Sequence, residues 1–215
     1  MQEKLRELFE DVSIKRKIQE KLPKLFAMAQ IESQRAGKTG MEVGSLRERI
    51  IIALLIYKFG QEVVQTDIPI TESEIDVKLF GYPVSIKSIT NSGGVKAVWT
   101  VDAQSSLKFV ENYAPKCDIL LVRIKESNKT NVKSKAGGFF WIPLEVQQKV
   151  LKQLSSKNYL KLPKASTNPR GIEFAKEALS MLLDDNDTRF IPIEWKKFDI
   201  SYDPYKRWVD YWEEI

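Results

Sequence analysis

Residues 74–88, EIDVKLFGYPVSIKS, contain two short runs of alternating polar and apolar residues on either side of a Gly-Tyr pair. A period of two residues predicts β-strands, so this stretch is expected to form a hairpin with the Gly-Tyr pair in its turn. Counting outward from that turn places Asp76 opposite Lys87, on the face of the ribbon that also carries Ser85. That shared face survives any slip of the register by two residues. The simplest explanation of the pair is a cross-strand ion pair on a solvated face.

The composition excludes several kinds of chemistry. The chain has 215 residues, no histidine and one cysteine, Cys117. A Ser-His-Asp triad, a Cys-His pair, a histidine general base and a Cys/His zinc site are therefore excluded, and an enzyme would depend on carboxylates, lysines, hydroxyls and a hard metal ion. The net charge of +5 is weak evidence for a polyanionic partner. No stretch predicts a membrane span or a secretory signal, so a cytoplasmic protein without a membrane partner is expected.

The hydrophobic pattern predicts an α/β fold in which a mixed sheet is flanked by helices. Residues 1–40 read as an N-terminal helical arm, where Pro23 marks a kink or a break. Residues 41–215 read as the core, and the whole chain is expected to form a single compact domain. The elements predicted beyond the arm are a helix at 45–59, the hairpin, a strand at 95–102, a helix at 103–113, strands at 117–124 and 138–143, helices at 144–155 and 171–184, a strand near 189–193 and a final helix after Pro204.

The helix at 45–59 adds an acidic residue to the hairpin pair. It is opened by Ser45 and closed by Gly60, and Glu48 lies one turn from its start. One interpretation is structural, because Ser45-x-x-Glu48 fits a capping box in which the glutamate caps its own helix. The other is functional: an acid at the start of a buried helix, Asp76 on the next strand and Lys87 on the partner strand form an ordered set.

This order of residues resembles the PD-(D/E)xK nucleases, the fold group of many type II restriction endonucleases. Asp76 matches the strand aspartate of that group, Ser85-Ile86-Lys87 matches its acid-x-lysine, and Glu48 matches its helix glutamate. Ser85 departs from the pattern, because the group has an acid there, and the site therefore has one carboxylate fewer for a two-metal arrangement. The whole chain, including TGMEVGSLRERI at residues 39–50, is most similar to small members of the group that cut CGCG.

The resemblance implies a restriction-endonuclease-like fold, with residues 41–215 as the nuclease core, and a type II enzyme that hydrolyses double-stranded DNA at a short palindrome. It implies a homodimer, a DNA methyltransferase as genetic partner, and Mg²⁺ as cofactor, with Ca²⁺ or Na⁺ able to occupy the site without supporting cleavage. The implied catalytic residues are Glu48, Asp76 and Lys87. The implied metal ligands are Asp76, the backbone carbonyl of Ile86 and Glu48, the last directly or through water.

Loops are expected to supply the contacts with nucleic acid. Met41 lies among glycines just before the helix of Glu48, which predicts either a wedge between base steps or a side chain folded back onto the helix. The basic segment 123–138 predicts an exposed loop that contacts phosphates. The residues assigned to nucleic-acid binding are Met41, Arg35, Lys38, Ser85, Lys129, Lys133 and Lys135. Weaker candidates for reading base edges are Asn91, Ser92, Lys96, Asn128 and Asn131.

Two other functions fit the same residues. One is a structure-selective nuclease of DNA repair or recombination with the same fold, and the other is a DNA-binding module without catalysis. A second acid-x-lysine also occurs, Asp187 followed by Glu194-Trp195-Lys196, but its aspartate lies in a segment typical of a turn and lacks a preceding helix glutamate. The site around Asp76 is therefore the stronger prediction.

Overall fold

The computed structural model describes residues 2–35, 38–40, 42–69, 71–72, 74–90, 94–98, 103–125, 132–162, 171–196 and 200–213. Its helices are α1 (Gln2–Glu10), α2 (Val12–Glu32), α3 (Val43–Phe59), α4 (Ala103–Glu111), α5 (Leu144–Leu154), α6 (Ser156–Tyr159), α7 (Lys176–Asp184) and α8 (Lys206–Glu213). Its strands are β1 (Gln34–Arg35), β2 (Lys38–Thr39), β3 (Val64–Gln65), β4 (Val77–Leu79), β5 (Tyr82–Thr90), β6 (Lys96–Val98), β7 (Asp118–Ile124), β8 (Gly138–Ile142), β9 (Leu160–Lys161), β10 (Ile172–Phe174) and β11 (Arg189–Pro192). None of the helices in these ranges is long and apolar enough to cross a membrane.

A six-stranded sheet forms the centre of the molecule, in the order β11-β8-β7-β5-β4-β3. β5 and β7 run parallel, and the other neighbouring strands run antiparallel, so the predicted mixed sheet is confirmed. Every residue of β8 is buried, which is expected of a strand covered on both faces of the sheet. The chain joins the parallel pair through α4, which lies against one face.

Helices α1, α2 and α3 cover the other face of the sheet. Phe9 of α1 stacks on Phe139 of β8 with ring centroids 5.0 Å apart, and Ile51 and Leu55 of α3 are buried in the same core. The helices of the predicted arm therefore share a core with the sheet, while the division at residue 40 stays a prediction. The predicted break at Pro23 is absent, because α2 continues through it.

The opposite face carries α4 to α7 and a small sheet in the order β6-β10-β9. The helix predicted at 171–184 is wrong in its first part, where Ile172 and Phe174 are buried in β10 and α7 begins only at Lys176. Three residues are too few for a period of two to be distinguished from a helical turn, which explains the error. The strand predicted at 95–102 is described only over 96–98.

The hairpin forms, but its register differs from the prediction. Val77 pairs with Val84 and Leu79 pairs with Tyr82, so the turn residues are Phe80 and Gly81 rather than the Gly-Tyr pair. Phe80 has φ 51° and Gly81 has φ 80°, and a hairpin turn with two positive φ angles matches the twist of its strands. The register is thereby shifted by two residues, which changes the partners and preserves the faces.

Candidate active site

The structure brings Asp76 and Lys87 together at the point where β4 begins. The Asp76 amide donates to the carbonyl of Val84 at 3.0 Å, and Val77 pairs with the same residue, so Lys87 is not the cross-strand neighbour of Asp76. Lys87 reaches it along the shared face, with its Nζ 3.4 Å from Asp76 Oδ2. The two side chains are 21% and 19% exposed, so this pair is not the solvated surface ion pair of the simplest explanation.

Glu48 of α3 lies within electrostatic reach of the same pair. Burial raises the pKa of Glu48, repulsion from Asp76 raises it further, and Lys87 and then Arg49 act in the opposite direction. α3 begins at Val43, where no side chain caps the helix, so Glu48 lies in its second turn. The capping-box interpretation is therefore wrong. Glu48 is instead a half-buried glutamate within electrostatic reach of the Asp76–Lys87 pair.

The carboxylate of Asp76 is held by three donors on one of its oxygens. Oδ2 accepts hydrogen bonds from Ser85 Oγ at 3.0 Å, from the Ile86 amide at 2.6 Å and from Lys87 Nζ at 3.4 Å. Among the residues that the structure describes, every hydrogen bond to the Asp76 side chain ends at Oδ2. Oδ1 is therefore left to bind another group.

The backbone of Ile86 faces the same space as Asp76. β4 starts at Val77, opposite Val84, so β5 has no β4 neighbour beyond that pair. In a strand the amide and carbonyl of one residue point to the same edge, and the Ile86 amide points to Asp76. Its carbonyl is therefore directed toward the open edge of β5, beside the carboxylate.

These groups fit a hard divalent cation with few protein ligands. No group of three or more His, Cys, Asp or Glu residues within the described ranges is placed to hold a metal by side chains alone. Mg²⁺ does not need such a cage, because it keeps several waters and binds through one or two carboxylates. Asp76, the Ile86 carbonyl and Glu48 supply that kind of donor set, with oxygen ligands only.

Ser85 occupies the position where the nuclease pattern has an acid. Its side chain is 3% exposed, and its hydroxyl donates to Asp76. The structure thus places Ser85 beside the carboxylate to which it donates. The predicted contact of Ser85 with nucleic acid stays a prediction.

Sequence reasoning missed a third carboxylate near Lys87, that of Glu74. Glu74 is 7% exposed, and burial raises its pKa, while Lys116, then Lys87, and a hydrogen bond with Tyr113 lower it. Lys87 therefore lies within electrostatic reach of both Asp76 and Glu74. The available signal was the Glu-x-Asp spacing, which places both acids on one face if the segment is extended.

The single cysteine lies below these acids and carries no catalytic chemistry. Cys117 is buried, and its Sγ is 3.6 Å from the carbonyl of Glu74. Burial raises the pKa of the Cys117 thiol to about 12, and the nearby Glu74 contributes to the increase. A thiol with that pKa is protonated at neutral pH and is not a nucleophile.

The predicted basic loop is partly anchored to the body of the protein. Lys133 Nζ donates to the carbonyls of Asp185 at 2.9 Å and Thr188 at 2.8 Å, and burial lowers the pKa of this lysine. The Ser134 amide donates to Asp184 Oδ1 at 2.8 Å, and Arg123 donates to the Ser134 carbonyl. The ammonium of Lys133 thus donates to carbonyls of the protein, and its predicted phosphate contact stays a prediction.

The other residues assigned to nucleic acid divide into two groups. Lys38 in β2 and Lys135 are exposed, and Arg35 pairs with Lys38 across the β1–β2 ladder. The residues outside the described part of the chain are Met41, Lys129, Asn91, Ser92, Asn128, Asn131 and the side chain of Arg35, while Lys96 is half-buried in β6. The wedge, the fold-back of Met41 and the base-reading residues stay predictions.

The alternative acid-x-lysine does not form a comparable site. Glu194 and Lys196 form an ion pair of 3.0 Å between side chains that are 69% and 65% exposed. Exposed pairs of this kind contribute little and perturb no neighbouring group. Of the two acid-x-lysine candidates, the site around Asp76 is the one whose charged side chains are both buried and close together.

Comparison with known proteins identifies the family of the chain. The family model described as restriction endonuclease ThaI matches residues 8–214. A solved structure with 52% sequence identity, described as a restriction endonuclease in complex with substrate DNA, superposes with a TM-score of 0.86 and covers 98% of this chain and 99% of its own. No curated protein matches the sequence significantly. The resemblance read from the residues is confirmed, and the chain belongs to the ThaI family of restriction endonucleases.

Proposed function

We propose that this restriction endonuclease is a Mg²⁺-dependent homodimer that cuts double-stranded DNA at the palindrome CGCG. The observation that carries the proposal is the convergence of Glu48, Asp76 and Lys87 beside the open edge of β5. Restriction endonucleases of this kind generally use a divalent metal ion. The substrate is supported by the relative at 52% identity, which was solved with its substrate DNA.

The donors that would hold the ion are Asp76 through Oδ1, the carbonyl of Ile86, and Glu48 directly or through water. When bound, Mg²⁺ supplies positive charge beside the scissile phosphate and promotes ionisation of the attacking water. Ser85 and the Ile86 amide fix the direction of the Asp76 carboxylate before DNA arrives. This preorganisation means that the site spends little energy on rearrangement during the reaction.

Lys87 has the role of orienting the attacking water. Its ammonium lies 3.4 Å from Asp76 and within reach of Glu74, which restricts it to the face where the carboxylates converge. From there it donates to the water and to the phosphate oxygen on which negative charge develops. Lys38 and Lys135 are exposed and supply phosphate contacts away from the reacting atoms.

A homodimer is supported by two exposed apolar surfaces on the same chain. Helix α8 carries side chains that are 50–84% exposed, Trp208, Val209, Tyr211 and Trp212. Between α2 and α3 lies an apolar groove of about 290 Å³, lined by Ile18, Leu22, Leu25, Ile50 and Leu54. Lys17 and Lys21 border the groove.

We assign the groove to α8 of a second copy. In a two-fold dimer the copies bring identical active sites to the two strands of a palindrome, so both strands are cut at equivalent positions. Sedimentation velocity tests the assignment: replacing Trp208 and Trp212 together by alanine should convert the dimer to monomer. An unchanged dimer would place the interface elsewhere. The matched control is Tyr205→Ala, just outside the helix.

Plasmid cleavage tests the function as a whole. Incubation with Mg²⁺ should give discrete bands that end at CGCG sites, and EDTA or Asp76→Asn should prevent cutting. A smear would instead indicate a structure-selective or exonucleolytic enzyme, and intact plasmid with retained binding would indicate a module without catalysis. A cognate methyltransferase, expected as genetic partner in the cytoplasm, should protect the same sites.

A further inference from the structure

Glu74 is a buried carboxylate beside the active site that binds neither the metal ion nor DNA in the proposed mechanism. The residue is 7% exposed, and its backbone carbonyl lies 3.6 Å from Sγ of Cys117, just before β7. A carboxylate loses most of its hydration at such a position, so it needs a counter-charge or hydrogen-bond donors nearby. The groups that stabilise its charge therefore show what it interacts with.

Two lysines and one tyrosine stabilise this carboxylate. Burial raises the pKa of Glu74, whereas Lys116, then Lys87, and a hydrogen bond with Tyr113 lower it. Lys116 is exposed, so water screens its attraction, while the side chain of Lys87 is only 21% exposed. Lys87 is thus the partly buried cation of the two.

Asp76 holds Lys87 less closely than it holds its other donors. Three donors share Asp76 Oδ2, and Lys87 Nζ is the most distant of them, at 3.4 Å against 2.6 Å for the Ile86 amide. A strong hydrogen bond between an ammonium and a carboxylate has a length of about 2.7–2.9 Å. The Lys87 ammonium therefore lies short of the best position for Asp76, as expected of a cation shared between two acids.

The three acids near Lys87 do not converge on one point. Within the described ranges, Glu48, Asp76 and Glu74 do not form a group of three that could hold one metal ion. Lys87 nevertheless pairs with Asp76 and lies within electrostatic reach of both glutamates. Glu74 is therefore not a third ligand, and Lys87 is the group that it shares with the two acids of the site.

We propose that Glu74 is a positioning residue that keeps the Lys87 ammonium in place when a cation occupies Asp76, an inference that rests on the proposed metal-dependent reaction. In the metal-free protein, Lys87 is attracted by all three acids. A cation held by Asp76 and Glu48 offsets their charge, so their attraction for the ammonium is lost. Glu74 then supplies the attraction that remains, and Lys87 stays where it can donate to the attacking water.

A double-mutant cycle on the metal-free protein tests the pair of Glu74 and Lys87 directly. The free energy of unfolding in urea is measured for Glu74→Gln, for Lys87→Met and for the double variant. Because either single change removes the attraction, the double variant should lose less stability than the sum of the two single losses. The matched control combines Glu74→Gln with Lys108→Met, an exposed lysine of α4, and should be additive. Additive losses for Glu74 and Lys87 would overturn the proposal.

Charge and shape at position 74 are separated by two variants. Glu74→Gln keeps the shape and still accepts the hydrogen bond from Tyr113, so it is expected to fold, while Glu74→Asp keeps the charge and shortens the side chain. In single-turnover cleavage at saturating Mg²⁺, Glu74→Gln should be slower by about 10- to 100-fold at unchanged duplex affinity, and Glu74→Asp should be faster than Glu74→Gln. A packing role predicts the opposite order, and that order would reject the positioning role.

A second measurement leaves position 74 unchanged, in case Glu74→Gln does not fold. The side-chain carboxyl ¹³C signal of Glu74 should be shifted in Lys87→Met and should stay in place in Lys108→Met. A signal that stays in place in Lys87→Met would also reject the pair.

Failure of the proposed function has a different signature. If the wild type does not cut DNA with Mg²⁺, the reaction is rejected, and the positioning role is rejected with it. If the wild type cuts and the cycle of Glu74 and Lys87 is additive, only the positioning role fails.

Discussion

Replacing Ser85 by alanine tests whether the buried hydroxyl orients the carboxylate of Asp76, the proposed metal ligand. The change removes a 3.0 Å hydrogen bond to Asp76 Oδ2, and water cannot replace the donor because Ser85 is 3% exposed. A hydrogen bond to a charged acceptor contributes about 1.5–3 kcal/mol. Asp76 keeps the Ile86 amide at 2.6 Å, so we expect the lower end of that range. A loss of roughly 1.4 kcal/mol corresponds to a tenfold slower reaction.

Two assays measure the effect of Ser85→Ala. Single-turnover cleavage of a CGCG duplex over a Mg²⁺ titration should show a rate or an apparent metal affinity lowered by about tenfold. Urea unfolding of the metal-free variant should show a free energy of unfolding lower by roughly 1–2 kcal/mol. The matched control is Ser88→Ala, on the other face of β5. Wild-type cleavage by Ser85→Ala at every metal concentration would refute the role of the hydroxyl.

Further predictions follow from other contacts. Lys87→Met should abolish cleavage and leave binding of a duplex intact by fluorescence anisotropy; residual cleavage near the wild-type rate would remove its assigned role. Phe9→Ala should lower the free energy of unfolding by about 3–5 kcal/mol in urea, because the ring stacks on the central sheet; a loss below about 1 kcal/mol would mean that the first helix is not part of the core. A hydrogen bond from Lys58 at 2.6 Å lowers the pKa of Asp11. Asp11→Asn should therefore lose stability above pH 3.8, and the difference from the wild type should vanish as the pH falls below that value in urea unfolding. A difference independent of pH would exclude the ion pair as its cause.

The sequence predicted that Asp76, Ser85 and Lys87 lie together better than it predicted how their strands pair. Asp76, Ser85 and Lys87 share a face in every even register, so the side-chain period alone determined that they meet. The register itself depended on which residues accept a positive φ, and Phe80 was not expected to be one of them. The pairing of the two strands could not be predicted from the sequence, because the twist of the whole hairpin determines which two residues form the turn.

Other features depended on contacts between distant segments. Glu74 lies in a turn before β4, so the Glu-x-Asp spacing would have predicted its face only if the segment were extended, and its burial comes from packing near Tyr113. The anchoring of Lys133 to carbonyls near α7 joins residues about fifty positions apart. Local composition predicts such a lysine to be exposed, since the sequence does not reveal which carbonyls will surround it.

The buried thiol of Cys117 has a practical consequence for experiments on the proposed dimer. Burial raises the pKa of this thiol to about 12, so it is protonated at neutral pH, and the side chain is shielded from reagents. A maleimide dye or spin label will therefore not react with Cys117 in the folded protein. Any one cysteine introduced on α8 becomes the sole attachment point, and the distance between the two labels of a dimer can be measured in an otherwise unaltered enzyme.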